Sequence, residues 1–233
     1  MRELCIACNK SNAQMLDDLH KYLTITSHQI VTNFADDNFN YILFADTTNF
    51  NCVFQLKNAF LNYFVNEFKY QYILQKIGIQ GDFFYQACVK VLALFDRETD
   101  EQFLLSDMTV SGKVYLDSYA EFRLALLKKR WDEVADLARD NRFYYLPLAD
   151  RGEILHFLVS TMTKNAHVGI IKRENGKYVF IFDKHTEVFD ITARLELVTS
   201  VVRVCPAKIK LDGSLDEELG RFFRLCFAER VIK

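Results

Sequence analysis

Two histidines and an aspartate are the residues whose types and spacing best fit a metal site. Two β-rich runs flank Asn175-Gly176, a pair that supplies the positive φ angles of a type I′ hairpin turn. With a two-residue turn, the strand register places His167 near Asp183 and His185 at the open end of the hairpin. Imidazole and carboxylate groups are ligands for divalent metals. The sequence therefore predicts a metal site at His167, Asp183 and His185, with a solvated hairpin base as the favoured alternative.

Cys5-x-x-Cys8 has the spacing of a redox or metal-binding pair. The segment 4–7 is predicted as a strand, in which residues three apart point to opposite faces. No second CxxC completes a tetrahedral zinc site. The chain has six cysteines in total, and a reducing compartment disfavours disulfides between them. We therefore expect buried thiols that act as small apolar side chains.

A run of basic side chains lies along the long helix predicted over 115–143, beside Trp131. Such a stripe with an aromatic side chain can bind a phosphate backbone. Acidic residues interleave with the basic ones, which is typical of a solvated helix face whose field largely cancels. Nucleic-acid binding is therefore an alternative function and not the favoured one. The residues of this candidate basic face are Lys128, Lys129, Arg130, Arg139 and Arg142.

Arg123 is a separate candidate near the start of the same helix. Its neighbours Phe122 and Leu126 predict a partly buried guanidinium, and a buried charge needs a carboxylate partner. A fixed structural ion pair is the favoured interpretation of Arg123. Binding of a substrate anion is the sharper alternative.

The elements that position these residues predict an α+β fold in three segments. Residues 1–48 indicate a small αβ unit with the order strand, helix, strand, strand, and 49–145 indicate a helical segment. Residues 146–233 indicate a C-terminal αβ unit with the hairpin, which could be continuous with the helical segment. The long helix is expected to bury Phe122, Leu126, Leu127, Val134 and Leu137. Capping boxes at Asp150/Glu153 and Ser214/Glu217 are expected to open two later helices.

Composition excludes several classes of protein. Half of the 233 residues are hydrophobic, which excludes intrinsic disorder, and the formal charge is −2. The longest uncharged stretch, 22–35, is shorter than the roughly 20 apolar residues of a membrane span. No apolar core of a signal peptide is visible, so we expect a cytoplasmic protein. Phosphate-binding glycine motifs are missing, so no cofactor is predicted.

Five short motifs occur in one order and spacing over residues 114–233. They are Phe122-Arg123-Leu124, Glu153-Ile154-Leu155-x-Phe157-Leu158-Val159, Tyr178-Val179-Phe180-Ile181-Phe182-Asp183, Cys205-Pro206-Ala207-Lys208-Ile209 and Phe227-x-x-Arg230-Val231. In this arrangement the chain resembles the YtxC-like sporulation proteins of endospore-forming bacteria. The resemblance implies a sporulation-associated role in the cytoplasm. It carries over no catalytic residue.

These observations predict a non-catalytic protein that acts through contacts with an unidentified protein partner, or with further copies of itself. The first alternative is a metal-dependent enzyme or metal-binding module at His167, Asp183 and His185. The second is nucleic-acid binding through the helix at 123–142. A sizeable exposed apolar patch favours the first interpretation. A deep polar pocket with perturbed carboxylates or imidazoles favours an enzyme.

Overall fold

The computed structural model describes residues 2–23, 29–46, 52–78, 81–107, 112–140 and 143–232. The fold is α+β, as predicted, with two mixed sheets. The chain divides into two compact units: Met1–Gln71 with Glu98–Asp132 form unit 1, and Tyr72–Arg97 with Glu133–Lys233 form unit 2. The predicted boundaries at 48/49 and 145/146 do not coincide with this division. The helices of the predicted central segment belong partly to each unit and form no unit of their own.

The elements have the following bounds. The strands are β1 Arg2–Asn9, β2 Gln29–Ala35, β3 Phe39–Asp46, β4 Lys113–Tyr115, β5 Asn165–Glu174, β6 Lys177–Phe182, β7 His185–Asp190, β8 Pro206–Leu211 and β9 Val231–Ile232. The helices are α1 Ala13–Lys21, α2 Cys52–Asn62, α3 Lys69–Ile77, α4 Phe83–Leu94, α5 Arg97–Asp107, α6 Leu116–Ser118, α7 Ala125–Asp140, α8 Leu148–Thr161, α9 Arg194–Val204 and α10 Glu217–Phe227. π-helical turns at Tyr63–Phe68 and Tyr119–Arg123 connect α2 to α3 and α6 to α7.

Unit 1 contains a four-stranded sheet in the order β2-β3-β1-β4. β1 pairs antiparallel with β3, and β4 adds to the other side of β1 in a parallel register. Alternate residues of the two central strands, among them Ile6 and Phe44, are buried on one face, which packs against α1 and α2. The three-residue strand β4 was expected to be helix, because so short an edge strand has too few residues to show alternation.

The apolar face predicted for the long helix is wrong at three positions. Phe122, Leu126 and Leu137 are 70%, 60% and 63% exposed. Leu127 is buried as expected, and the rest of the buried face consists of Leu124, Trp131, Ala135 and Ala138. A π-helical turn has one more residue than an α-helical turn, which rotates the following positions by about 100° relative to an unbroken α-helix. The turn at Tyr119–Arg123 precedes α7, so a pattern extrapolated through it identifies the wrong face.

Unit 2 contains a five-stranded sheet in the order β7-β6-β5-β8-β9. The predicted hairpin turn is confirmed: Asn175 and Gly176 have φ angles of 51° and 74°, and Glu174 pairs with Lys177. β5 and β6 are therefore joined by the two-residue connection that the Asn-Gly pair predicts. β8 lies parallel to β5, and β9 lies parallel to β8.

The helices of unit 2 pack around α4, which is buried along most of its length and contacts α8, α9 and α10. Asp82 caps α4 by accepting a hydrogen bond from the backbone N–H of Tyr85 (2.9 Å). Both predicted capping boxes are wrong. α8 begins at Leu148 after Pro147, so Asp150 lies inside its first turn. The cap of α10 is Asp216, because the hydroxyl of Ser214 instead donates to the carbonyl of Arg173.

Within the described ranges, no helix is both long and apolar enough to cross a membrane.

Candidate functional site

The structure brings together two of the three residues predicted to bind a metal. His167 Nδ1 lies 3.7 Å from Asp183 Oδ1. Asp183, with a φ of 52°, begins the tight connection from β6 to β7. His185 begins β7, pairs with Phe182 and lies against its ring, with 5.4 Å between ring centroids. Among the described residues, no group of three His, Cys, Asp or Glu side chains is arranged to hold a metal ion.

Cys5 and Cys8 lie on β1, and both are free thiols. Cys8 is buried, and its Sγ donates to the carbonyl oxygen of Asn12 (3.2 Å). Burial, together with the nearby Asp117 carboxylate, raises the pKa of the Cys8 thiol to about 12. Burial also raises the pKa of Cys5. Because the thiolate is the reactive form, these raised pKa values do not favour redox chemistry or metal binding at this pair.

Trp131, the aromatic side chain predicted to accompany the candidate basic face, is not available for stacking. Trp131 is fully buried, and its indole Nε1 donates to Asp100 Oδ2 (3.1 Å). Arg130 lies 3.7 Å from the other oxygen of Asp100. The Lys128 ammonium lies 5.6 Å from the centre of the Phe68 ring.

The remaining residues of that face also differ from the simple basic stripe. Arg139 forms ion pairs with Asp136 (2.7 Å) and Asp140 (3.8 Å). Lys129 is exposed, and Arg142 lies outside the described residues. Arg123 is exposed at the end of a π-helical turn, so the expectation of a partly buried guanidinium is wrong. The error has the same cause as that at Phe122: this turn directs both side chains away from the core.

Unit 1 contains a buried ion pair that the sequence did not predict. Lys69 Nζ is 2.7 Å from Asp100 Oδ2, and both side chains are fully buried. The Lys69 ammonium also lies 6.0 Å from the centre of the Trp131 ring. The pattern of residues does not indicate this pair, because Lys69 interrupts an otherwise apolar helix stripe and Asp100 lies 31 residues further on. No local signal connects the two.

Unit 2 contains an apolar groove of about 340 Å³. We call it the α4–α8 groove, because its walls come from the C-terminal half of α4, the last turns of α7, the segment 143–146 and the middle of α8. Its lining is Leu92, Phe95, Val134, Leu137, Ala138, Phe143, Leu146, Ile154 and Leu158. A lining without carboxylates, imidazoles or thiols provides no group for acid–base or nucleophilic catalysis.

The edges of the α4–α8 groove are exposed and acidic. Leu137 on α7 is 63% exposed, and Phe157, one turn beyond Ile154 on α8, is 64% exposed. Glu133 is one helical turn from Leu137, and Asp150 is one turn from Ile154. Neither carboxylate forms an ion pair within the part of the chain that the structure describes. The groove is therefore open to solvent, and Glu133 and Asp150 each lie one turn from its lining, as does the cation Arg151 on α8.

Comparisons with known proteins found no match: no family model, no curated protein and no solved structure is similar to this chain at a significant level.

Proposed function

We propose that this chain is a non-catalytic interaction protein whose α4–α8 groove binds an amphipathic helix with basic flanking residues. The observation that carries the proposal is an open groove lined only by apolar side chains, with unpaired carboxylates at its edges. Recognition of a helix in a groove is a recurring mode of peptide binding, in which apolar anchors at positions i, i+3 or i+4, and i+7 enter the groove.

The size of the groove supports a partner that inserts a few side chains. Its volume of about 340 Å³ is at the lower end of the range of about 300–1,000 Å³ for ligand pockets. Leu137 and Ile154 lie in its lining and are also partly exposed, so a bound helix would remove apolar surface from water on both sides. This burial provides the favourable free energy of binding in the proposal.

The charges at the edges support a basic partner. Glu133 and Asp150 each lie next to a residue of the lining. The nearby Arg139 forms ion pairs with Asp136 and Asp140. Its positive charge is therefore balanced by these two carboxylates and does not oppose a basic partner at this edge. Complementary charge increases the association rate and selects against acidic partners. We therefore propose Lys or Arg on either side of the apolar anchors.

Three further predictions from the sequence are not tested by the structure: the family resemblance, the location and the sporulation-associated role. The resemblance to YtxC-like sporulation proteins, a cytoplasmic location and a sporulation-associated role are compatible with an interaction protein. The contact between His167 and Asp183 supports the metal-binding alternative, which metal analysis of the purified protein tests. Stoichiometric metal that is lost in His167→Ala supports the alternative, and a protein without metal opposes it.

A labelled synthetic peptide tests the proposed function. The peptide has about 18 residues, enough for five helical turns, with Leu on one face and Lys or Arg beside it. We expect saturable binding by fluorescence anisotropy, weakened by salt because the charges at the groove edges are exposed. A peptide of the same composition with the Leu positions scrambled is the control for non-specific attraction.

Two matched variants locate the binding. Leu137→Asp places a charge in the groove, whereas Leu126→Asp places one at a similarly exposed position on the same helix that does not line it. We expect Leu137→Asp to weaken binding at least tenfold and Leu126→Asp to leave it unchanged. Equal effects of the two variants, or equal binding of the scrambled peptide, contradict the proposal. A stable dimer that buries Leu137 in the absence of peptide would make a second copy the occupant and also contradict it.

A further inference from the structure

A second pocket of about 380 Å³ lies in unit 2 where three helices begin. We call it the N-terminal pocket, and its lining is Asp82, Phe84, Leu148, Arg151, Glu217, Glu218 and Arg221. Asp82 is the cap of α4, Leu148 is the first residue of α8, and Glu217 is the first residue of α10. Three helices therefore begin at this pocket, and the N-termini of α4 and α10 are already capped by the carboxylates of Asp82 and Asp216.

Arg151 is the residue in this pocket whose environment is incomplete. Its Nε is buried without a hydrogen-bond acceptor, although its guanidinium lies 5.5 Å from the centre of the Phe84 ring. No carboxylate of the described chain forms an ion pair with it. A buried polar atom without a partner costs free energy, and such atoms are rare in folded proteins. The Nε itself is not accessible, so a bound molecule would be contacted by the two outer nitrogens of this guanidinium, which form no ion pair among the described residues.

Arg221 provides a second guanidinium in the same pocket. It is exposed, and within the described ranges no carboxylate lies within ion-pair distance of it. Of the three acidic residues of the lining, Glu218 forms an ion pair with Arg194 (2.7 Å), and Asp82 accepts from the Tyr85 N–H but keeps its charge. The two guanidinium groups therefore share the pocket with two carboxylates, Asp82 and Glu217, that form no ion pair among the described residues.

The start of α8 adds donors to this pocket. Its N-cap residue is Pro147, and no side chain caps the helix, in contrast to α4 and α10. The first backbone N–H groups of a helix have no acceptor inside the helix, and uncapped they are suited to an anion. Arg151 lies on the same helix, one turn from Leu148, so its guanidinium and these N–H groups can act together.

We propose that the N-terminal pocket binds a small molecule through its carboxylate or phosphate group. Arg151 and Arg221 bind that anionic group, because a planar guanidinium donates two parallel hydrogen bonds to either oxyanion. Glu217 accepts a hydrogen bond from a hydroxyl or amine of the same molecule. Phe84 and Leu148 contact its apolar part. This site is separate from the α4–α8 groove and does not depend on the function proposed for that groove.

Isothermal titration calorimetry on the full chain tests this site with three probes: inorganic phosphate, glycerol 3-phosphate and succinate. We expect saturable binding of at least one probe at millimolar concentration or below. Preference for the phosphates assigns a phosphorylated ligand, and preference for succinate assigns a carboxylate. No saturable heat with any of the three probes overturns the proposal.

Variants at the two arginines distinguish a specific site from general attraction. We expect Arg151→Gln and Arg221→Gln each to weaken binding at least tenfold, with Arg151→Lys intermediate because it keeps the charge but not the planar pair of donors. Arg224→Gln is the matched control, since Arg224 is exposed on the same helix as Arg221 and does not line the pocket. Equal loss in Arg224→Gln, or unchanged binding in the two pocket variants, overturns the proposal. Thermal melts check that each variant is folded. If Arg151→Gln does not fold, the binding measured for Arg221→Gln decides the question.

Discussion

Asp100 accepts hydrogen bonds from the Lys69 ammonium (2.7 Å) and the Trp131 indole (3.1 Å) in the interior of unit 1. Both members of the ion pair are fully buried. Removing charges from water is costly, and the arrangement persists because attraction and hydrogen bonding offset that cost. Loss of Asp100 leaves the Lys69 ammonium buried without this carboxylate. We therefore interpret this pair as structural.

Asp100→Ala tests this interpretation. We expect the free energy of unfolding to fall by about 3–5 kcal/mol, because the Lys69 ammonium is left buried. The double variant Lys69→Met/Asp100→Leu should lose less than Asp100→Ala alone, since it removes both charges. Asp136→Ala is the control: its ion pair with Arg139 has the same 2.7 Å length but is half exposed, and should contribute at most about 1 kcal/mol. Denaturation by urea measures all four proteins, and equal effects of Asp100→Ala and Asp136→Ala contradict the interpretation.

Three buried cysteines should not react with thiol reagents in the folded protein. Burial raises the pKa of Cys8 and of Cys88 to about 12, and it raises that of Cys226 well above its usual value. At pH 8 these groups are therefore thiols, and reagents need the thiolate. We expect mass-spectrometric mapping after brief alkylation to find modification at these three sites only when denaturant is added. Rapid modification of Cys8 under native conditions would contradict this expectation.

For individual residues, the sequence predicts roles that depend on local backbone geometry, but it does not predict roles that depend on contacts between distant segments. Asn175-Gly176 was predicted correctly because a two-residue turn depends on the φ angles of those residues alone. Lys69 and Asp100 could not be paired, since they lie on different helices and only the packing of unit 1 brings them together. The N-terminal pocket could not be predicted for the same reason: Arg151 and Arg221 lie 70 residues apart in the sequence, and only the fold of unit 2 brings them to one pocket.

Asp117 joins two elements of unit 1. It accepts hydrogen bonds from the backbone N–H of Asn9 (2.7 Å) at the end of β1 and from the side chain of Asn12 (2.5 Å) just before α1. Burial alone would raise the pKa of Asp117. The hydrogen bonds from Asn12 and Asn9 favour the charged form more strongly, so its pKa lies below the usual value of 3.8.

Because the pKa of Asp117 is lowered in the folded protein, the contribution of Asp117 to the free energy of unfolding depends on pH. The ionised Asp117 stabilises the folded state above the unfolded pKa near 3.8, and this contribution disappears as the pH falls through the lower folded pKa. We therefore expect Asp117→Asn to be less stable than the unmodified protein at pH 7 and the difference to shrink at low pH. Asp17→Asn, at an exposed position of α1, is the control. Thermal melts between pH 2 and pH 7 measure the effect, and a difference that grows as the pH falls contradicts it.

Gly169 in β5 packs closely against the side chains of Phe180 and Pro206. A Cβ atom there would lie 2.9 Å from Cε2 of Phe180 and 3.1 Å from Cγ of Pro206. Both neighbours are rings, so neither can move aside easily. We expect Gly169→Ala to lower the free energy of unfolding by about 1–3 kcal/mol. Gly213→Ala, which meets nothing within 4 Å, should change it little; equal effects in urea denaturation would show that Gly169 is not constrained by packing.

Elements were predictable where their periodicity was regular. The strands near 3–8 and 39–45, the helix from Asp82 and the hairpin all lie within a few residues of the expected positions. Phe122 and Leu126 are exposed, not buried as expected, and the π-helical turn at Tyr119–Arg123 precedes or contains them. This turn could not be predicted, because no residue type marks it in the sequence. The cap of α10 was misplaced because the hydroxyl of Ser214 has a competing partner in Arg173 of β5, and the start of α8 was misplaced because that helix already begins at Leu148.

At the scale of the whole molecule, three predicted segments became two units because the chain returns to each unit after leaving it. α3 begins in unit 1 and ends in unit 2, and α7 does the same later in the chain. A linear division at turns or composition shifts cannot detect such an exchange. The α4–α8 groove depends on it, since Leu92, Leu137 and Ile154 come from three separate helices of unit 2.

Hydrogen–deuterium exchange of the full chain, with and without the basic amphipathic peptide, tests whether the α4–α8 groove is the binding site. We expect saturating peptide to slow exchange in α8 and in residues 133–140, and Leu137→Asp to abolish this effect. The sheet of unit 1 should exchange at the same rate in both samples. Protection confined to other segments, or no protection at concentrations that saturate binding, would contradict the claim that the groove is the interaction site.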